Sequence, residues 1–430
     1  MYLNDLENVL KNADTGVTIG HITLFLLLYA DDAIILAETP EKLQEAINEL
    51  YIYSNYWKLK LNNDKSKIVI LKSGARSRNE SWRYGDVQLS VTTRFSYLGI
   101  LFTSNGAFNQ AQRVLSDQAN KALFCMLKSL NRFVNLSPKM MMEIFDKLIT
   151  PILCYGSEVW GFNTGLDIER LHLKFCKQVL GVKRCTQNDF VYGELGRVPM
   201  SITRKINMIK YWLKIVQGTK PYSLSAVYHA SLQNLELKNI TGWTWHVREI
   251  LLSCGLGEAW YNQGVMDMKC FIVILKQRLY DIYRQEWATR LSDSPRARFY
   301  NVVKGTFERS HYLNVVTVKS HRQALSRLLL SSHRLKIETG RWERPIIPHT
   351  ERRCPICPDK IEDEFHFIVE CNLYKDIRKR LIPKYYWQRP SLYKVLQLLN
   401  SRNPKHLQAL AKYAFLSFKQ RQCHIMNSVN

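Results

Sequence analysis

One stretch constrains this chain more than any other: Leu26-Leu27-Leu28-Tyr29-Ala30-Asp31-Asp32-Ala33-Ile34-Ile35-Leu36, where two adjacent carboxylates interrupt an apolar run. Short runs rich in Leu and Ile, here Leu24 to Leu28 and Ala33 to Ala37, read as two buried strands. The acids then fall in the tight turn between them. A turn lets neighbouring side chains converge, whereas a regular strand sends them to opposite faces. Two carboxylates crowded beside an apolar core repel one another, and burying either without a partner is costly. A divalent cation relieves that cost, and hard oxygen ligands suit Mg²⁺. Such a pair fits metal-assisted phosphoryl chemistry. Turn statistics alone favour a solvated hairpin tip, which stands as the alternative.

The 430 residues suit two or three domains with ample chain to bury a core. Lys and Arg number 61 against 37 Asp and Glu, a net charge of +24. That excess points to a polyanionic partner, most simply nucleic acid, with a generally basic soluble protein as the alternative. No apolar run is long enough to span a bilayer, and no secretory signal is evident. Ten Cys are scattered and only three lie close together. This usage suits a reducing compartment, so the expected location is nuclear or cytoplasmic, not secreted.

Thr39-Pro40-Glu41 reads as a helix start, with Thr as cap, Pro at the first helical position and an acid in the first turn. Leu43, Ala46, Ile47 and Leu50 continue at helical spacing, and Lys67 to Leu71 reads as a returning strand. A hairpin, a helix and a strand make an α+β layer. Val87 to Leu89 and Tyr97 to Phe102 suggest a further hairpin. From Ala107 the pattern turns helical, with a second helix from Pro138 and others over Asp167 to Leu180, Ser201 to Val216 and Trp243 to Leu252. These stripes read as packed core. Domain boundaries are expected near 103 and 268, giving segments 1–103, 104–268 and 269–430. Between Phe271 and Arg353 there are 17 Lys and Arg against 7 Asp and Glu, with aromatics interleaved. Arg322, Arg327, Arg334, Lys336 and Arg341 are the candidate phosphate contacts there, and a solvated basic helix face is the alternative.

A second chemical signal is Cys354-Pro355-Ile356-Cys357, followed by His366 and Cys371. Two thiolates on one Cys-x₂-Cys knuckle suit tetrahedral Zn²⁺, and four protein ligands make a closed, structural site. Glu364 to Cys371 reads as helical, with His366 and Cys371 converging at its end. A redox pair is the rival for the knuckle, but it accounts for neither His366 nor Cys371.

Together these pieces resemble the C-terminal part of the polyprotein of non-LTR (LINE-type) retrotransposons. Tyr29-Ala30-Asp31-Asp32 resembles the Tyr-x-Asp-Asp box of the reverse-transcriptase palm, in which Asp31 would bind both Mg²⁺ ions and Asp32 would support the site. Leu59 to Lys67 resembles the next palm motif, where Lys65 or Lys67 would assist the leaving pyrophosphate. Phe95-Ser96-Tyr97-Leu98-Gly99 looks like the primer grip, which assigns Tyr97, Leu98 and Gly99 to nucleic-acid contact. Tyr155 to Gly161 and Tyr192 to Gly196 are similar to segments beyond the thumb, and Arg352 to Tyr374 to the Cys-Cys-His-Cys module. The resemblance implies an α+β fold: a partial palm of antiparallel sheet and helix, a mostly helical thumb and connector, and a small zinc-knuckle-like module. It implies RNA-directed DNA synthesis on an RNA and DNA template–primer, with two Mg²⁺ ions and a structural Zn²⁺. Two-metal transfer needs a third carboxylate from an earlier strand. Only 30 residues precede Asp31, and Met1 to Leu6 resembles the stretch after that strand. A fragment with impaired catalysis is therefore expected, or else a non-catalytic nucleic-acid-binding protein.

Overall fold

The computed structural model describes residues 5–71, 80–133, 136–163, 165–218, 221–238 and 241–429. The reading of Met1 to Asn4 lies outside them. The fold is mixed α+β, with two units that are each discontinuous in sequence: 1–115, 154–165 and 203–276 form the first, and 116–153, 166–202 and 277–430 the second.

The first unit is built around the helix Pro40–Tyr56. Thr39 caps it as its sequence requires, the Oγ1 accepting from the Lys42 amide at 3.2 Å. One face, with Ala46 and Tyr53, packs on Leu6, Leu10 and Phe25. Another, with Ile47, packs on Ile68, Trp82, Tyr84 and Leu89. The strands in this unit are β1 (Val17–Ile19), β2 (Ile22–Leu24), β3 (Leu26–Tyr29), β4 (Asp32–Ile35), β5 (Lys67–Val69), β6 (Trp82–Tyr84), β7 (Val87–Thr92), β8 (Arg94–Tyr97) and β9 (Ile100–Thr103). The expected pairing of Val87–Leu89 with Tyr97–Phe102 is replaced by two separate pairings. β7 lies between β5, to which it is parallel, and β6, while β8 and β9 make their own hairpin. Gln44 fastens the helix to the sheet edge, its amide exchanging hydrogen bonds with the Arg83 backbone at 2.8 and 2.9 Å.

The second unit is helical. Ser137 caps Pro138–Leu148, accepting from the Met140 amide at 3.2 Å. Asn188–Leu195 ends at Gly196, whose φ of 58° closes the helix in the left-handed conformation. At Gly193 a Cβ would stand 2.5 Å from the Trp287 ring, so only glycine permits this approach. The Tyr192 to Gly196 segment is thus a packing site. Lys319–Leu329 and Pro404–Val429 pack together, the latter also against Lys375–Leu381.

Candidate metal centres

β3 and β4 pair with Tyr29 opposite Asp32, leaving Ala30 and Asp31 as a two-residue loop. Ala30 takes a φ of 55°, a turn conformation uncommon for a residue with a Cβ. The acids are at the hairpin tip, as the sequence implies, but the strands are not both buried. Leu27 and Leu28 are 41% and 39% exposed, and Asp31 and Asp32 are exposed as well. Leu26 and Ile35, at the hairpin base, pack against the core. The ribbon has two strands with no third on either edge among the described residues, so its tip meets water. Repulsion by desolvation therefore does not force an ion between these carboxylates.

β8 and β9 make the hairpin that carries Tyr97. Burial, and then the nearby charge of Asp32, push the Tyr97 phenol up from its ordinary range. Leu98 and Gly99 form the turn with φ of 47° and 78°, the double positive φ of a tight two-residue hairpin loop. Tyr155 donates its hydroxyl to the Leu98 carbonyl at 2.8 Å. Lys65 is exposed, its amide turned onto Asn62. No hydrogen bond or ion pair among the described residues joins Lys65 to Asp31 or Asp32. Nor does a third acid close on the pair. Asp5 accepts from the Tyr53 hydroxyl, and Asp14 pairs with Lys42 at 3.5 Å. Among the described residues, the group of three or more His, Cys, Asp and Glu side chains able to share an ion is Cys354, Cys357, His366 and Cys371.

The donor atoms of those four all lie within 4.8 Å of one another. Cys354 and Cys357 sit on a small knuckle closed by the Cys354 amide on Lys360 O at 2.8 Å and the Lys360 amide on Cys357 O at 2.9 Å. His366–Glu370 is a π-helical turn, in which the Cys371 amide reaches back to His366 O at 2.8 Å. That wide turn brings residues five apart onto one side, which is how His366 and Cys371 meet. The Sγ atoms of Cys354 and Cys371 are 3.9 Å apart, close to the ~3.8 Å that tetrahedral Zn–S bonds of about 2.3 Å require. Their mutual hydrogen bond lowers the Cys354 thiol and raises that of Cys371. Nε2 of His366 is buried without a hydrogen-bond partner, while Nδ1 meets Glu370 Oε2 at 3.1 Å. An unpartnered nitrogen and three sulfurs converging in this way fit a tetrahedral metal ion.

Residues 1–102 match the family model of reverse transcriptase (RNA-dependent DNA polymerase), a span that contains the acidic hairpin and Tyr97. Those residues are reverse-transcriptase-like. The chain is 23% identical over 189 residues to a transposon-derived protein of Caenorhabditis elegans, covering 43% of this chain and 67% of the worm protein. It is 25% identical over 200 residues to the 115 kDa protein of the type-1 retrotransposable element R1DM of Drosophila melanogaster, covering 44% of this chain and 20% of that protein. No helix among the described residues is long and apolar enough to cross a membrane.

The basic residues singled out in the C-terminal segment divide by exposure. Arg322 is 4% exposed and donates to the carbonyls of Val316, Thr317 and Leu136, so it holds the second unit together and is not open to phosphate. Arg327 and Arg334 are exposed, the former bonded to Gly181 O at 2.6 Å. Lys336 pairs with Glu343 and Arg341 with Glu338. Sequence reasoning also missed what surrounds the Cys/His cluster. Arg378 is buried and donates to Ile368 O and Cys371 O at 2.9 and 2.8 Å. Glu362 takes Arg421 through both oxygens at 2.7 and 2.8 Å. The cluster is embedded among helices rather than hung from them as a separate small module. Only Glu370 had a sequence signal, four residues after His366.

Proposed function

We propose that this chain is part of a non-LTR retrotransposon RNA-directed DNA polymerase, with Asp31 and Asp32 as Mg²⁺ ligands. Residues 1–103 act as palm, 104–268 as thumb and connector, and 269–430 as a basic region carrying Zn²⁺. What supports this most is the acidic pair at a hairpin tip, inside the segment that matches the family model. Bound Mg²⁺ would activate a primer 3′-hydroxyl and hold a triphosphate. Tyr97, Leu98 and Gly99 would seat the primer end, and Lys65 would meet the leaving pyrophosphate. Catalysis by this chain alone is impaired, since two carboxylates do not fix both ions, so the reading is tested by Mn²⁺ binding at the hairpin, compared between wild type and Asp31→Ala.

A second reading, a non-catalytic nucleic-acid-binding protein, is favoured by one observation: no third ligand joins the pair among the described residues. Both readings require electrostatic binding of nucleic acid. At a net charge of +24, a log–log plot of affinity against salt is expected to fall with a slope steeper than about −4. A flat plot would remove both readings. Under the second, Asp31→Ala leaves affinity unchanged.

Cys354, Cys357, His366 and Cys371 hold Zn²⁺ as a closed structural site, which the donor set and its convergence support. The Glu370 carboxylate accepts from Nδ1–H of His366 and so presents Nε2 to the ion. Glu370→Ala is expected to weaken Zn²⁺ binding about 10- to 100-fold in a chelator competition. Glu370→Gln should lose less, because its amide oxygen still accepts. Equal affinities in all three proteins would show that Glu370 does not orient the ligand.

A further inference from the structure

Trp342 is 64% exposed, the most exposed tryptophan among the described residues. It follows the short helix Lys336–Thr339, with its amide bonded to Thr339 O at 3.0 Å. The Arg296 guanidinium carbon stands 5.0 Å from the centre of the indole ring, holding one face in a cation–π contact. Beside the ring lies a recess of about 50 Å³ whose walls include Lys183, Gln187, Arg296, Glu338 and Trp342. A space of that size admits a water or a phosphate oxygen but not a base. Lys183 Nζ donates to His333 O at 2.9 Å, which leaves it further hydrogens to donate. The one acid in that group, Glu338, has Arg341 at 3.3 Å to balance its charge. Residues 277–430 carry 29 Lys and Arg against 13 Asp and Glu, so the surroundings favour an anion.

We propose that Trp342 is a stacking platform for an unpaired base of single-stranded nucleic acid, with Lys183 and Arg296 receiving the adjoining phosphate. The inference rests on the nucleic-acid reading above and goes beyond it by naming a site and the form of ligand. An exposed indole offers a flat apolar face that any base can cover, so the site tolerates sequence. A duplex, whose bases are already stacked, cannot use it. Cationic neighbours alone would bind duplex and single strand alike.

The test measures binding of the full chain to fluorescent oligothymidylate, oligouridylate and a DNA duplex across a salt series. Trp342→Ala should weaken single-strand binding about 10-fold, with the salt slope unchanged and duplex affinity unaltered. Trp342→Phe should restore most of the loss. Lys183→Ala with Arg296→Ala should reduce the slope by about 1 to 2. A loss confined to thymidylate or to uridylate assigns the strand as DNA or RNA. A 5-bromouracil oligonucleotide should crosslink to Trp342 in the unaltered protein, a readout independent of any folding defect in the variants. Undiminished single-strand affinity in Trp342→Ala, an equal loss on duplex, or a crosslink elsewhere overturns the proposal while leaving general binding intact. No binding by wild type overturns the nucleic-acid reading with it.

Discussion

Chelation of the Zn²⁺ proposed for the Cys354–Cys371 site is expected to unfold the helices that pack on it. Structural Zn²⁺ in such sites contributes about 10–16 kcal/mol, whereas a whole domain is stable by about 5–15 kcal/mol. The polar contacts around the site each depend on the cluster holding its shape. Tyr413 donates to Phe367 O at 2.6 Å, Arg378 holds the carbonyls of Ile368 and Cys371, and Arg421 grips Glu362. Phe367 stacks on Phe418 with ring centres 4.7 Å apart. These contacts tie the Cys/His segment to Pro404–Val429, which packs in turn on Lys319–Leu329. Cys357→Ser is the clean variant, since Cys357 is only partly buried and its exchange leaves no cavity. With that variant, or after chelation, amide exchange should become fast in Ile361–Leu381 and Lys405–Arg421. Exchange in the helix Pro40–Tyr56, which belongs to the other unit, should not change. Protection that survives full metal removal would mean the helices hold the cluster, rather than the reverse.

Local signals were legible wherever the physics was local. Thr39 caps the helix that its hydroxyl announces, because a cap needs only its own next three residues. The Cys and His spacing gave a converging cluster, since ligand identity and a single turn fix most of that geometry. Burial of the β3–β4 hairpin was misread, because the same apolar pattern suits a strand covered on both faces and a ribbon anchored only at its base. Pairing of β7 with β5 and β6 was missed, as register depends on partners distant in sequence. Arg322 looked like a phosphate contact in a basic run. Its burial against three carbonyls is a tertiary fact that composition does not carry.

Asp31→Ala is expected to abolish a weak Mn²⁺ site while leaving stability within about 0.5 kcal/mol, as befits an exposed loop residue. Two exposed carboxylates leave a hard cation most of its water, so affinity in the range of about 10⁻⁴–10⁻³ M or weaker follows from the ligand count. Paramagnetic broadening by Mn²⁺ should centre on Asp31 and Asp32 and extend to Tyr97, whose phenol is pushed up by burial and then by the charge of Asp32. Polymerisation asks more of the site than binding does. Both ions must be fixed around an in-line displacement, and the charge stabilisation that metals supply there amounts to several kcal/mol, or about 10³-fold in rate or more. With no third ligand on the pair among the described residues, extension of a template–primer by this chain should therefore stay at background with Mg²⁺. Robust synthesis that Asp31→Ala eliminates would require a further carboxylate to reach the pair once nucleic acid is bound. Broadening that ignores the hairpin, or persists in Asp31→Ala, would instead leave Asp31 and Asp32 as a solvated turn.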